Sequence, residues 1–494
     1  MNRIGPIAGV GLRLNGEDVV VDAPPGERLS RSLRERLGAR DVKVGCDAGD
    51  CGACTVLLDG RPVCACLTPT HQAEGAAVET LAGLARSDPA AAALGEAFQN
   101  RQAAQCGICT PGMMVAAVAL LRATPRPTEE EIEAALGGVL CRCTGYRKII
   151  EAVAEAAVGA PPLESSGAVG ASTRRLDGSD KVAGHTAFGD DVAPADALVL
   201  RVVRSPHARA GFRIGDVDGY VAAHPGVRAI LTAADAAGRN AFGVIPAFVD
   251  QPVFADGEAR YRGEAVAAVV GDADAMAALD LDAFPVEWRQ RKSAESLDEA
   301  LADDASLVHQ TREGNVMCGG FVSCGDAEAA LARADVVVEG VFETSFVEHA
   351  YIEPEAGFAR VVDGRVEIHA CTQAPMMDRD AVAEILGVAP TDVRIVPTAV
   401  GGGFGSKLDL SVQPYLALAA LKTGRPVRVA YSRGESMRAT TKRHPARISA
   451  RIGATKDGRL SGLRFDGDFN TGAYASWGPT VANRVPVHAS GPYR

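Results

Sequence analysis

The sequence predicts a multidomain α+β chain, and three observations carry that prediction. Nine of the twelve cysteines fall between Cys46 and Cys143, in two groups set on different local structure. A small, nearly uncharged stretch from Ala156 to Thr173 then sets this part off from the rest. Beyond it, strand-like and helix-like runs alternate to the end of the chain. At 494 residues there is room for several domains of on the order of 100–200 residues each.

The first elements are short strands. Val10–Leu14 and Asp18–Ala23 alternate around Asn15-Gly16, a hairpin signal. A helix is expected from Ser30, as its cap, to Leu37. Thr55–Leu58 and Val63–Leu67 then read as strands around Asp59-Gly60, which completes a β-grasp order. A net charge of −11 lacks the basic footprint of a nucleic-acid binder and offers no polybasic anchor for a membrane. The longest apolar run, Met113 to Leu121, is short of the ~20 residues that cross a bilayer. No targeting segment is read in Met1–Pro6. We therefore expect a cytoplasmic protein with neither a nucleic-acid nor a membrane partner. Thiols stay reduced in that compartment, so the cysteines are expected to serve metal ligation or catalysis.

Cys46-x4-Cys51-x2-Cys54 is the spacing of a plant-type 2Fe–2S loop, with a fourth ligand further on. Gly45, Gly49 and Gly52 supply the backbone freedom that so tight a wrap needs. A four-cysteine zinc site is the alternative, but the four-residue gap suits the binuclear cluster better. Cys64 and Cys66 sit two apart, on one face of the expected strand, and the spacing leaves the fourth ligand open between them. In the second group, Cys106-x2-Cys109 precedes a helix with Thr110 as cap and Pro111 in the first turn, running to about Arg122. A capping box, Thr128 with Glu131, opens a second helix that stops at Gly137-Gly138. Cys141-Arg142-Cys143 follows in a turn, and a third helix runs from Tyr146 to Ala157. Four thiolates at helix ends suit an anionic cluster, which the positive end of the Pro111 helix favours.

The segments Cys46–Val56, Gln105–Met113 and Leu140–Tyr146 resemble the signature of iron–sulfur subunits in the molybdenum hydroxylases, the xanthine dehydrogenase/aldehyde oxidoreductase family. The resemblance implies a ferredoxin-like domain over 8–84 and a helical one over 85–158. It implies one 2Fe–2S cluster on Cys46, Cys51, Cys54 and Cys66, and another on Cys106, Cys109, Cys141 and Cys143. Cys66 is chosen on the resemblance alone, with Cys64 a bystander. It further implies that the helical cluster lies beside a molybdopterin touched by Gln105 and Cys143, while the other cluster faces the electron acceptor.

After a linker over 159–174, strands are expected at Ala197–Val203, Val227–Leu231, Ala265–Val270, Val336–Phe346, Ala356–Val362 and Val366–Ala370. Helices are expected at Ala273–Ala278, Leu297–Ala302, Met377–Leu386 and Pro414–Leu421, the last two closed by Gly387 and Gly424. Periodicity alone gives only a globular α/β region. Gln373 at a strand end would ordinarily be a surface amide, and the glycine run Val400–Lys407 a flexible loop. Such a run also lets backbone approach a bulky or anionic ligand. Val203–Ala208, Tyr261–Val266, Glu348–Glu355, Thr372–Pro375, Gly401–Lys407, Thr423–Pro426 and Lys442–Pro445 are together similar to the family's large subunits. This implies an α/β hammerhead domain over 175–310 and the first part of a molybdopterin-binding domain over 315–494. Gln373, Gly403, Phe404 and Gly405 would lie around a molybdenum–molybdopterin in its cytosine dinucleotide form. His207, His349 and His444 read as turn residues, since no carboxylate stands at a supporting spacing, and Glu353 and Glu355 read as structural.

Two departures from the family pattern shape the expected function. Family large subunits continue into a lobe that carries the catalytic base, so no catalytic residue is assigned here. The chain alone is expected not to turn over, and a complementary chain is the expected partner. Leu408 stands where purine-hydroxylating relatives carry a glutamate, and leucine cannot replace its hydrogen bonds. An aldehyde or aromatic N-heterocycle, oxidised with oxygen from water, is therefore expected over xanthine. With no flavin domain between the halves, electrons are expected to pass to a flavoprotein or a cytochrome, and the resemblance allows a homodimer. The rival reading is an electron-transfer iron–sulfur module whose molybdenum region is not catalytic.

Overall fold

The computed structural model describes residues 9–159, 167, 169–171 and 173–491. The segment Met1–Pro6, most of the expected linker and Pro492–Arg494 therefore lie outside the described residues.

The hairpin forms where the sequence placed it. Val10–Leu14 pairs antiparallel with Glu17–Val21, and Asn15 and Gly16 turn with φ of 52° and 91°. These strands belong to a five-stranded sheet in the order Glu17–Val21, Val10–Leu14, Ala77–Glu79, Thr55–Leu58, Arg61–Cys64. The helix packed on it departs from expectation. It begins at Leu29, continues as a wider π turn over Ser32–Arg36, and buries Ser30 inside, with Arg28 at the N-cap. Burying both Leu29 and Leu33 on the sheet sets this phase. The strand expected over Val63–Leu67 ends at Cys64, where Leu67 N–H donates to the Cys64 carbonyl and turns the chain. Cys64 and Cys66 thus do not share a strand face.

A helical bundle follows. Pro89–Asn100, Thr110–Ala123, Glu129–Leu136 and Arg147–Val158 share a core that includes Leu94, Phe98, Met113, Met114, Ile132, Ile149 and Val153. Thr110 to Val118 is buried on every face, so this central helix needs no polar stripe. The Thr128/Glu131 capping box is present. Thr110 is not the cap of the central helix. Cys109 takes that position, because its side chain must turn inward toward Cys141.

The two regions expected as separate domains beyond residue 175 share one seven-stranded sheet. Its order is Val393–Pro397, Arg365–Ala370, Ala356–Val362, Val427–Ala430, Leu198–Arg204, Ala265–Gly271, Val227–Leu231. Val427–Ala430 joins the halves by lying parallel to Leu198–Arg204. A single core runs through both, from Leu200 and Val270 to Ile368 and Leu416. A three-stranded sheet of Val336–Thr344, Ala446–Ala454 and Leu460–Phe469 stands apart, with Val336, Val338, Val341 and Phe342 exposed. Among the described residues no helix is long and apolar enough to cross a membrane.

One buried acid spans the two halves of this region. Glu264 accepts hydrogen bonds from the Tyr474 hydroxyl and the Arg260 N–H. Burial pushes its carboxyl up to about 7 even so. With an unfolded value of about 4.3, its contribution to stability is complete below that pH and is lost as pH rises through about 7. Glu264→Gln is therefore expected to gain on the wild type by about 3 kcal/mol between pH 4 and pH 8. Thermal melts of both proteins across that range check this. A difference in Tm that stays constant with pH would contradict it.

Candidate functional site

The eight cysteines named as ligands come together as four pairs. In the first loop the Ala48 and Cys51 N–H groups donate to Cys46 Sγ at 3.4 and 3.3 Å, which ties Cys46 to Cys51. Cys66 N–H donates to Cys54 Sγ at 3.5 Å, and the two thiols are hydrogen-bonded to each other. Cys64 stands nearby, its thiol donating to the Gly49 carbonyl at 3.9 Å. In the second group Cys106 pairs with Cys143, and Cys109 with Cys141, and a Cys141–Cys143 hydrogen bond joins the two pairs. Thr144 Oγ1 donates to Cys141 Sγ at 3.2 Å, and Cys141 N–H donates to the Tyr146 hydroxyl at 2.9 Å. Tyr146 holds this turn at a φ of 67°.

Among the described residues no three His, Cys, Asp or Glu side chains gather as a single ion would require. Two sulfur pairs per group suit a binuclear cluster, which takes four thiolates on two irons. Burial pushes the Cys51 thiol up to about 11, while its hydrogen bond with Cys54 holds the Cys66 thiol down to about 6. A metal displaces the protons that such thiols still carry as it binds.

Close backbone approach joins the two groups. Gly52 has φ of +65°, and a Cβ on it would lie 2.0 Å from the Gly138 carbonyl oxygen. Next to it, the Cys51 carbonyl accepts from Leu140 N–H at 2.8 Å, which links the first loop to the residue before Cys141. Cys51, Ile108, Phe188 and Ile352 form one small apolar cluster, with Cys46 and Cys106 packed against it.

The glycine run lies against this cluster. A Cβ on Gly401 would come within 3.1 Å of Ile108 Cβ, and one on Gly403 within 2.4 Å of Gln373 Oε1. Gln373 is held at both ends. Its N–H donates to the Lys407 carbonyl at 2.8 Å, and its Oε1 accepts from Gly405 N–H at 3.1 Å. Gln373 and Phe404 both stay exposed, Phe404 with φ of 54°. The structure thus brings Gln373, Gly403 and Gly405 together into a cradle that only glycines fit. Gln105 lies on the exposed side of its loop, where its carbonyl accepts from Lys181 Nζ at 2.6 Å. Among the described residues no side-chain hydrogen bond joins Gln105 to the Gln373 segment.

Residue by residue, each iron–sulfur domain matches a 2Fe-2S family, over 12–84 and 80–154. Residues 183–292 match the aldehyde oxidase and xanthine dehydrogenase a/b hammerhead domain, and 308–494 the molybdopterin cofactor-binding domain. The nicotinate dehydrogenase large molybdopterin subunit of Eubacterium barkeri is 36% identical over 66% of this chain and 76% of its own length. The chain belongs to the molybdenum hydroxylase family. The same organism's nicotinate dehydrogenase small FeS subunit is 47% identical over 29% of the chain and 91% of its own length. The aldehyde oxidoreductase of Megalodesulfovibrio gigas is 30% identical over 96% of the chain. A solved aldehyde oxidoreductase from Desulfovibrio gigas superimposes with a TM-score of 0.89, at 30% identity over 96% of the chain. The chain spans 55% of the length of each of these two aldehyde oxidoreductases. It is thus a molybdenum hydroxylase chain with two 2Fe–2S domains, a hammerhead region and a molybdopterin-binding region.

Several residues that build this site escaped the sequence reading. Arg142, between Cys141 and Cys143, donates to the His349 carbonyl at 2.9 Å. Arg433 donates to the carbonyls of Gly45 and Ile352. Arg34 and Lys43, both buried, pair with Asp191 at 2.8 and 2.7 Å. Arg433 and Arg142 clamp the first cysteine loop and the Cys141–Cys143 turn onto the molybdopterin-binding region, and Arg34 and Lys43 tie the ferredoxin-like domain to the hammerhead region. Nothing local in the sequence marks them.

Proposed function

We propose that this chain holds two 2Fe–2S clusters and part of a molybdenum site in a hydroxylase that oxidises an aldehyde or an aromatic N-heterocycle. The sulfur pairs, two on each side of the Gly52–Gly138 contact, carry this reading. Cys46, Cys51, Cys54 and Cys66 would hold one cluster, and Cys106, Cys109, Cys141 and Cys143 the other. Gln105, Cys143, Gln373, Gly403, Phe404 and Gly405 would hold the molybdopterin, in its cytosine dinucleotide form. When bound, that cofactor supplies hydroxylation with oxygen from water and passes the two electrons removed from the substrate to the clusters one at a time.

The chain's own residues do the placing. Gln373, fixed by Lys407 and Gly405, keeps its amide nitrogen free to face a ligand. Phe404, exposed beside it, offers a ring against which a flat substrate can be oriented. The apolar packing of Ile108, Phe188 and Ile352 fixes the two cysteine groups relative to each other. Electrons would leave from the Cys46 side to a flavoprotein or a cytochrome. A complementary chain is the proposed partner, and the whole would assemble as a homodimer. Leu408, half-buried after Lys407, favours a substrate without purine nitrogens.

Anaerobic purification followed by assay of iron, zinc, molybdenum and released pterin tests this. We expect about four irons per chain, with molybdenum and pterin in step. Zinc in place of iron would sink the proposal. Iron without molybdenum would leave an electron-transfer module.

A further inference from the structure

Glu353 and Lys407 form an ion pair that the family site described above does not use. Their side chains are 5% and 1% exposed, and Lys407 Nζ donates to Glu353 Oε2 at 2.8 Å and to the Glu353 carbonyl at 3.0 Å. The rest of the carboxylate is spoken for by backbone. Gly401 N–H donates to Oε2 at 2.6 Å, and Gly189 N–H to Oε1 at 3.0 Å. Lys407 Nζ also lies 4.5 Å from the centroid of the Tyr351 ring.

The location is informative. Gly401 opens the glycine loop, and Lys407, which closes it, holds Gln373 by its carbonyl. A Cβ on Gly401 would meet Glu353 Cβ at 2.4 Å and Ile108 Cβ at 3.1 Å, so the carboxylate stands where the loop meets the Cys106–Cys109 turn. Glu353 and Ile108 line the same cavity of about 100 Å³ beside Cys46 and Phe188.

A buried ion pair is poor value for stability alone, because well-packed apolar side chains of the same volume often do as well or better. What apolar residues cannot supply is a fixed, oriented charge beside a redox centre. We propose that Glu353 and Lys407 are a positioning pair, which seats the glycine loop on the second cysteine group and keeps either buried charge from displacing the potential of the cluster held there. This rests on the reading of Cys106, Cys109, Cys141 and Cys143 as that cluster's ligands. Each partner cancels the other's field, so removing one shifts the cluster's potential, in a direction given by the charge that remains.

The test is an EPR-monitored redox titration, at pH 8, of the full chain purified anaerobically. Glu353→Gln leaves the lysine charge and is expected to favour the reduced cluster, changing its reduced-to-oxidised ratio at fixed potential by up to about tenfold, or ~59 mV for one electron. Lys407→Met leaves the carboxylate and is expected to shift the ratio the other way. The double variant and Lys407→Arg are both expected to return it close to the wild type. The cluster on the Cys46 side should move less. Single variants that shift nothing, or that shift the same way, would overturn the proposal, as would a double variant displaced as far as either single. Should a single variant lose the second cluster, the double variant decides. A wild-type potential supports the pair, and a displaced one overturns it. Absence of any 2Fe–2S signal from the wild-type chain would overturn the cysteine reading itself, and the pair with it.

Discussion

Cys109→Ala is expected to halve the bound iron, from about four atoms per chain to about two, and to erase one of two 2Fe–2S EPR signals. Cys109 is buried, caps the central helix Thr110–Ala123 and pairs with Cys141. Alanine keeps the helix but leaves one iron with a single thiolate, which cannot retain a binuclear cluster. The Cys46 group draws on its own strands and loop, so its signal should persist. The same measurement resolves the fourth ligand of the first group. Cys66→Ala should erase the other signal, because Cys66 is buried and its N–H donates to Cys54 Sγ, whereas Cys64, half-buried with its thiol on the Gly49 carbonyl, should be dispensable, so that Cys64→Ala spares it. Loss of iron from Cys64→Ala with retention in Cys66→Ala would reverse that assignment. Thermal melts alongside separate a lost cluster from a lost fold.

The cysteine pattern was legible because ligation fixes spacing over a few residues, and spacing survives in sequence. The hairpin at Asn15-Gly16, the Thr128/Glu131 box and the αL caps Gly387 and Gly424 were legible for the same reason. Two helices, Leu81–Ser87 and Pro89–Asn100, were missed although Asp88-Pro89 carries a cap and a first-turn proline. Long-range pairing was another matter. Leu198–Arg204 finds Val427–Ala430 from more than two hundred residues away, which no local signal encodes, so the sheet shared by the two regions was not legible. Glu353 read as a structural residue because its partners Gly189, Gly401 and Lys407 lie 164, 48 and 54 positions off. The cradle around Gln373 was named from resemblance, since a glycine run shows its purpose only when something lies where a Cβ would be.

Gly52→Ala should be the most damaging glycine-to-alanine change among the described residues. Its φ of +65° already disfavours any side chain, by about 1–2 kcal/mol. The added Cβ would also sit 2.0 Å from the Gly138 carbonyl oxygen and 2.9 Å from Val139 Cα, which are backbone atoms that no rotamer change can move aside. Gly112 closes the other side, where a Cβ would lie 2.5 Å from the Gly52 carbonyl oxygen. Overpacking at so rigid a contact adds roughly 1–3 kcal/mol. The strain falls on the Cys51–Leu140 hydrogen bond, so both cysteine groups should bind iron poorly and any magnetic coupling between their clusters should weaken. Gly60→Ala is the matched control. Its φ of +78° imposes similar conformational strain, but nothing lies within 4 Å of its Cβ position. Gly60→Ala should therefore lower Tm modestly and keep both signals, while Gly52→Ala lowers it further and loses them. Equal iron content and equal Tm in the two variants would mean that the loop and bundle are not held by this contact.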